Sequence, residues 1–395
     1  MGYLYISALS SETLVNDIYH KTGDNPGFAV QKFSRLLVKG FIENGTETVA
    51  LSNPPITRKY TDDLWVNYEG GLEKGIIYKY IPFVNLPVLK HICVLFYTFF
   101  YVLFWGMRNR KDKAVICDVL CISSSLGALI ASKLCGLKSV AVVTDIYEQM
   151  VGEKSTGFNA FLKDLAGTLN KKYVTSFNRY VLLTEAMNEI VNPNHKPYVV
   201  MEGLCDLDIP DFLEVKQKSS PRVIFYAGGI ESKYGVQMLV EAFKMLEIDD
   251  VELHIYGNGT YVDTLKAEAL IDKRIKYFGV KSNKEIVQEE LKATLLVNPR
   301  FTTEEFTKYS FPSKNMEYMV SGTPLLTTNL PGMPKDYHPY VYLFDNETVE
   351  GYADTLRKVL SLPLDELQMK GIKARQYVLK YKNYRTQTLN VMTVL

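Results

Sequence analysis

Short apolar runs of strand length alternate with runs of helical spacing along the whole chain, and that alternation restricts its fold more than any other feature. In the first half the strand-like runs are Leu4–Ala8, Thr48–Leu51, Ala114–Cys121, Ser139–Thr144, Tyr180–Thr184 and Tyr198–Met201. Between them, Phe33, Leu36, Leu37 and Phe41 mark one face of a helix over Ala29–Glu43, and Leu126–Leu134 is a short apolar helix. This is the βαβ grammar of a parallel, doubly wound sheet. The alternation stops at a polar stretch from Asp206 to Pro221 and then restarts. Val223–Ala227, a helix over Val236–Leu246, Glu252–Tyr256, Ile275–Phe278, Leu295–Asn298, a helix at Pro312, Leu325–Thr327 and Tyr342–Phe344 follow in order. The prediction is an α/β protein of two such domains, residues 1–203 and 204–373. An aromatic closing helix within 374–395 (Tyr377, Tyr381, Tyr384) packs back on the first.

Length and composition agree. A chain of 395 residues exceeds one compact core, and 47% hydrophobic with 23% charged residues is a folded composition. A net charge of +1 gives a nucleic-acid partner no electrostatic support. The five cysteines are odd in number and lie in apolar contexts; Cys117-x3-Cys121 lacks a second pair, so no zinc site is expected. They read as free thiols in a reducing cytoplasm. The start, Met1-Gly-Tyr-Leu-Tyr-Ile-Ser7, has no basic region or cleavage site and reads as the first strand, which also outweighs myristoylation at Gly2.

One segment raises the question of a membrane. Residues 87–105 (PVLKHICVLFYTFFYVLFW) are apolar apart from Lys90 and His91, and Arg108, Arg110, Lys111 and Lys113 follow. The uninterrupted run from Ile92 to Trp105 falls short of the roughly 20 residues that span a bilayer. Aromatics followed by basic residues suit a helix lying on an anionic membrane surface, so 87–113 is predicted to leave aromatic side chains exposed. A buried core helix is the competing reading.

The chemistry is expected at the carboxyl ends of the second domain's strands. Gly228-Gly229 reads as a turn in which the backbone approaches a ligand, with Lys233 as a cation before the next helix. Tyr256-Gly-Asn-Gly259, Phe278-Gly279-Val280 and Asn298-Pro-Arg300 end three further strands. Then comes Tyr309-Ser-Phe-Pro-Ser-Lys-Asn-Met-Glu-Tyr-Met-Val-Ser-Gly-Thr-Pro-Leu-Leu326. Ser310 or Phe311 sits where an N-cap belongs, Pro312 suits the first turn, and Ser313 and Lys314 follow where free amides favour an anion. A diphosphate is the natural candidate. Glu317, one turn on, is placed to accept hydrogen bonds from a polyol such as ribose.

These segments together resemble the nucleotide-sugar domain of family 4 GT-B glycosyltransferases, especially bacterial surface-polysaccharide enzymes. The resemblance covers about 222–330 well and the first domain in outline. It implies two Rossmann-like domains facing a central cleft, with Glu317 on the donor ribose. It further implies the Phe311–Lys314 amides on the diphosphate, Gly279 and Val280 by the nucleobase, and a retaining transfer. Two positions depart from the family. Tyr309 stands where its glutamate pair wants an acid, and Gly228-Gly229-Ile230 lacks its arginine, a cation that Arg300 is placed to supply. Asp145, at the end of a strand in the first domain, is the candidate for the acceptor hydroxyl, with His20 a weaker one. No cofactor or metal is expected, since Asp206-x-Asp208 lies in the linker. The donor is a nucleotide sugar, UDP favoured by family prevalence, and the acceptor a saccharide or lipid-linked saccharide. The expected location is the cytoplasm, peripheral to the membrane. The alternatives are a GT-B-shaped binding scaffold, motivated by Tyr309 and Gly229, and a nucleotide-sugar epimerase.

Overall fold

The computed structural model describes residues 1–23, 28–108, 112–146, 167–208 and 218–395. Residues 24–27, Arg110, Lys111 and most of the polar linker therefore lie outside the described residues. Two compact units form: Met1–Leu204 with Tyr384–Leu395, and Cys205–Asn383.

The first unit holds β1 (Gly2–Ser7), α1 (Glu12–Thr22), α2 (Phe28–Glu43), β2 (Glu47–Ser52), β3 (Trp65–Val66), β4 (Gly71–Glu73), β5 (Ile76–Tyr80) and β6 (Phe83–Val84). It continues with α3 (Pro87–Met107), β7 (Lys113–Asp118), α4 (Ile122–Cys135), β8 (Lys138–Val143), β9 (Arg179–Leu182), α5 (Ala186–Val191) and β10 (Tyr198–Val200). Eight strands make one sheet in the order β10-β9-β8-β7-β1-β2-β5-β4, parallel except for the terminal β4–β5 pair. The strands β3 and β6 form a separate antiparallel pair. Near-continuous burial of β1, β7 and β8 follows from helices on both faces, as the sequence pattern required.

The second unit contains β11 (Arg222–Gly229), α6 (Val236–Lys244), β12 (Val251–Asn258), α7 (Val262–Ile271), β13 (Ile275–Tyr277), α8 (Asn283–Lys292) and β14 (Leu295–Asn298). After these come α9 (Ser313–Ser321), β15 (Leu325–Thr327), β16 (Tyr342–Leu343), α10 (Val349–Leu360) and α11 (Leu364–Tyr381). Its sheet is parallel throughout, in the order β13-β12-β11-β14-β15-β16. One face packs α6 and α10 through Leu239, Phe243, Tyr352 and Leu356; the other packs α9 and α11 through Met316, Met319, Ala374 and Val378.

The closing helix differs from the expectation. Residues 374–381 continue α11 and stay in the second unit, and a separate helix, α12 (Tyr384–Thr393), belongs to the first. It lies on α2 where Gly40 leaves room: a Cβ there would sit 2.5 Å from Thr388 Oγ1. Glu43 accepts hydrogen bonds from the Tyr384 hydroxyl (3.0 Å) and from Arg385 (2.6 Å).

Candidate functional site

The sheet order of the second unit fixes where a ligand can enter. From β11 the chain moves outward through β12 and β13, and from β14 outward the other way through β15 and β16. The crevice therefore opens between the carboxyl ends of β11 and β14, the switch point where open α/β sheets bind ligands. Gly228-Gly229 ends one strand, and Asn298, followed by Pro299-Arg300, ends the other.

Gly228 and Gly229 are not a turn, as the sequence reading had it. They continue β11, paired with Gly257 and Asn258 of β12, and a Cβ at either would meet the Tyr226 or Tyr234 ring system at 2.9 Å. The turn comes later, as a 3-10 segment at Ser232–Tyr234 ending in Gly235 at φ 77°. Only glycine fits there, since a Cβ would lie 1.9 Å from the Pro299 carbonyl. That close approach sets Lys233 and Tyr234 beside the end of β14.

The helix boundary at Pro312 also moves. Pro312 is itself the N-cap, extended at ψ 111°, its carbonyl accepting from the Asn315 amide (2.9 Å), and α9 begins at Ser313. No side chain caps this helix. The side chains of Phe311 and Pro312 are buried, so they anchor the chain, and Pro312 brings no N–H. The Ser313 and Lys314 backbone at the uncapped start is left as an anion-favouring surface. The Ser310 hydroxyl is buried without a hydrogen-bond partner.

Two buried contacts that sequence reasoning missed hold α9 against the strand ends. Asn298 Nδ2 donates to Asn315 Oδ1 at 2.6 Å, and the Tyr318 hydroxyl accepts from the Ala227 amide at 2.9 Å. Their signal was an asparagine and a tyrosine on the apolar side of a helix, where a lone polar group needs a partner. Glu317 lies on the other side, partly exposed, not in the core. Its carboxylate accepts from Lys314 Nζ at 2.7 Å, a surface pair worth at most about 1 kcal/mol and open to competition by a ligand.

Lys233 is exposed, its Nζ 5.4 Å from the Tyr234 ring centre. Arg300 is half-buried, its guanidinium 5.0 Å from the Tyr234 ring and 5.4 Å from Phe306. Gly279 turns at φ 71° after β13 and Val280 is exposed. Phe278 beside them stacks on Tyr256 with ring centres 4.8 Å apart.

The first unit has its own switch point, between β1 and β7. Asp118 ends β7 there and is 4% exposed; the Leu120 amide donates to its Oδ1 (3.0 Å). Burial, with the like charge of Asp145, pushes its carboxyl up to about 6. Sequence reasoning passed over Asp118 because it stands inside an apolar strand. Asp145 follows the neighbouring strand β8 and lines a cavity of about 210 Å³ with Val119, Leu120 and Ile146. His20 lies exposed in the last turn of α1.

Residues 209–377 match the family described as Glycosyl transferases group 1. The chain is a glycosyltransferase. Solved structures agree on the fold. Anabaena Alr3699/HepE in complex with UDP is similar with a TM-score of 0.62 at 11% identity, covering 100% of this chain and 99% of that one. The lipopolysaccharide outer core galactosyltransferase WaaB, in its apo form, gives 0.60 at 15% identity, covering 100% and 99%. Sucrose-phosphate synthase from Thermosynechococcus elongatus gives 0.60 at 10%, covering 100% and 98%. At such identities the likeness carries the fold, which is GT-B with two Rossmann-like domains. No curated protein matches the chain in sequence.

Proposed function

We propose that this glycosyltransferase moves a sugar from a nucleotide diphosphate, UDP by preference, to a saccharide or lipid-linked saccharide hydroxyl in surface-polysaccharide synthesis, with retention at the anomeric carbon. One observation supports the donor site above all. An uncapped helix start, pinned by Asn298–Asn315 beside the switch point, carries a partly exposed carboxylate one turn inside it. The Ser313 and Lys314 amides meet the diphosphate as negative charge develops on it, and Glu317 exchanges Lys314 for the ribose hydroxyls. Lys233 adds a cation from the other strand end, and Gly279 and Val280 lie toward the base. Two relatives by fold favour the finer reading: HepE was solved with UDP, and WaaB is a lipopolysaccharide galactosyltransferase. Retention rests on the family resemblance.

A lipid-linked acceptor suits the outer face of α3. Val94, Thr98, Val102 and Gly106 face inward, whereas Phe96, Phe100 and Phe104 are exposed at 55%, 49% and 63%. The helix is 21 residues long and apolar enough to cross a membrane by length and composition. Its inward face packs on α4, where a Cβ on Gly127 would lie 2.3 Å from the Leu95 carbonyl, so we read it as lying on the bilayer surface at the cytoplasmic side. The acceptor hydroxyl is assigned to the strand ends of the first unit, where Asp145 stands.

Sugar transfer measured from a panel of UDP-, GDP- and ADP-sugars tests the activity. Transfer from a UDP-sugar, lost in Glu317→Ala, is the expected result. Full turnover in that variant overturns the donor site, and release of an altered free sugar without acceptor reveals an epimerase.

A further inference from the structure

The cavity of about 210 Å³ in the first unit is walled mostly by hydrocarbon: eight of its twelve lining residues are aliphatic. Val143, Val174 and Val191 in that wall are buried. Close-packed interiors seldom keep such a void, and an apolar one of about 150 Å³ stays dry and takes up benzene. On that scale this cavity holds roughly eight carbons. A sugar ring would leave its hydroxyls against methyl groups without hydrogen bonds, which is costly. The wall therefore fits a hydrocarbon, and a short piece of one.

The remaining residues say which hydrocarbon. Asp145 lines the cavity from the end of β8, and Asn170 and Lys171 line it from the segment before β9. Burial holds the Asp145 carboxyl above its ordinary value. A carboxylate that can accept from a hydroxyl and an exposed ammonium that can meet a phosphate thus stand against one apolar wall. Ile122 lines the same cavity and is 43% exposed, so the cavity meets solvent at the start of α4. From there Ile122, Leu126, Ile130 and Leu134 recur every four residues on one side of α4, the last two 41% and 67% exposed. This stripe adjoins α3. Gly127, next to Leu126, packs on the Leu95 carbonyl, and His91 Nδ1 and Ser123 Oγ lie 2.8 Å apart at the two helix starts. Neither helix contains an acidic residue, whereas Lys90 and Lys133 are basic. A chain leaving the cavity at Ile122 meets an apolar track that ends at the exposed face of α3, in surroundings suited to anionic headgroups.

We propose that this cavity takes the first carbons of the hydrocarbon chain of a lipid-phosphate-linked saccharide acceptor, with Lys171 on the phosphate and Asp145 on the sugar hydroxyl. The inference rests on the lipid-linked acceptor proposed above and gives its chain a place inside the first unit, apart from the bilayer face of α3.

The test is isothermal titration of the full chain, below micelle-forming concentrations, with inorganic phosphate and dimethylallyl, geranyl, farnesyl and decyl monophosphate as probes. Geranyl monophosphate should bind at least about tenfold more tightly than dimethylallyl, the gain from two buried methylenes. Farnesyl should add little, because the cavity is then full, and inorganic phosphate should not bind. Decyl monophosphate separates the sources: equal binding to geranyl assigns the cavity to any hydrocarbon chain, weaker binding to a branched prenyl chain. Val174→Phe fills the cavity and Ile122→Asp puts a charge at its exposed mouth, where folding tolerates it; both should abolish the gain from dimethylallyl to geranyl. A parent that does not bind geranyl monophosphate, an affinity independent of chain length, or the full gain persisting in Ile122→Asp overturns the proposal. Phe100→Ser with Phe104→Ser separates the cavity from the bilayer face: it should lose vesicles and keep geranyl monophosphate, and loss of both overturns the cavity as a distinct site. A parent that transfers sugar to lipid-linked saccharide without any chain-length dependence keeps the proposed function and loses the cavity. Transfer to lipid-free saccharides alone, with no geranyl monophosphate bound, removes the lipid-linked acceptor and the cavity together.

Discussion

Asp118 carries a pH effect whose sign follows from its burial. A carboxyl raised from 3.8 to about 6 in the folded protein binds its proton more tightly than in the unfolded chain. Between those values the folded state holds the extra proton, so stability falls as pH rises from about 4 to about 6 and stays low above. Two pK units correspond to about 3 kcal/mol. Asp118→Asn keeps an oxygen for the Leu120 amide and removes the charge. Urea titrations from pH 4 to 7 should show the parent losing stability and the variant holding level; parallel curves would refute the assignment. Glu317→Ala tests the other carboxylate: nucleotide affinity should drop by about 1–3 kcal/mol in isothermal titration, the range for a hydrogen bond to a charged group. An unchanged affinity would leave Glu317 as nothing more than the partner of Lys314. The sequence exposed Glu317 because a charge on an apolar helix is conspicuous. It hid Asp118 and Asn298, whose roles depend on which strand neighbours which, and Arg300 was legible by position but not by its rings.

Helix α3 is where an element's two faces make opposite predictions. Phe100→Ser with Phe104→Ser removes exposed rings and should leave the melting temperature within a degree or two, while binding to vesicles rich in anionic lipid is lost. Val94→Ser with Val102→Ser, both fully buried, should instead cost about 2–5 kcal/mol and leave the outer face intact. Co-sedimentation and thermal melts on the two double variants decide it; a parent that ignores vesicles sinks the membrane reading. The basic cluster is smaller than the sequence suggested. Lys113 Nζ donates to the carbonyls of Trp105 (2.6 Å) and Arg108 and lies 4.3 Å from the Trp105 ring, so it closes the end of the helix and is not free for headgroups. At this scale the strands and long helices were readable from periodicity. The pair β3–β6 and the strand β4 were not, since strands of two or three residues carry no period. Nor was the use of Glu73, whose carboxylate accepts from the Glu12 and Thr13 amides and so occupies the start of α1 from 60 positions away.

For the whole molecule, the chain leaves its first unit at Leu204 and re-enters it at Tyr384, so the first unit is completed by the chain's last residues. The polar linker revealed the first crossing. The second was blurred because 374–384 is one aromatic run in sequence, and only the change at Lys382-Asn383 divides α11 from α12. Within that unit the packing of α12 on α2 is well built: Thr388 and Val391 are wholly buried, Tyr384 nearly so, and Asn44 Nδ2 donates to the Arg385 carbonyl at 2.9 Å. Removing residues 384–395 therefore uncovers α2 and breaks the Glu43 contacts while touching no proposed donor residue. The loss should reach at least about 4 kcal/mol, comparable to deleting a large core side chain, or roughly 10 °C for a unit of this size. A nucleoside diphosphate acts on the other unit, adding about 2.7 kcal/mol at a hundredfold excess over its dissociation constant. Calorimetry of the parent and the truncated chain, each with and without UDP, should then resolve two transitions. Truncation lowers one, UDP raises the other, and the truncated protein still binds UDP. If truncation abolishes UDP binding, or if one transition moves under both treatments, the units do not fold and bind as separate bodies.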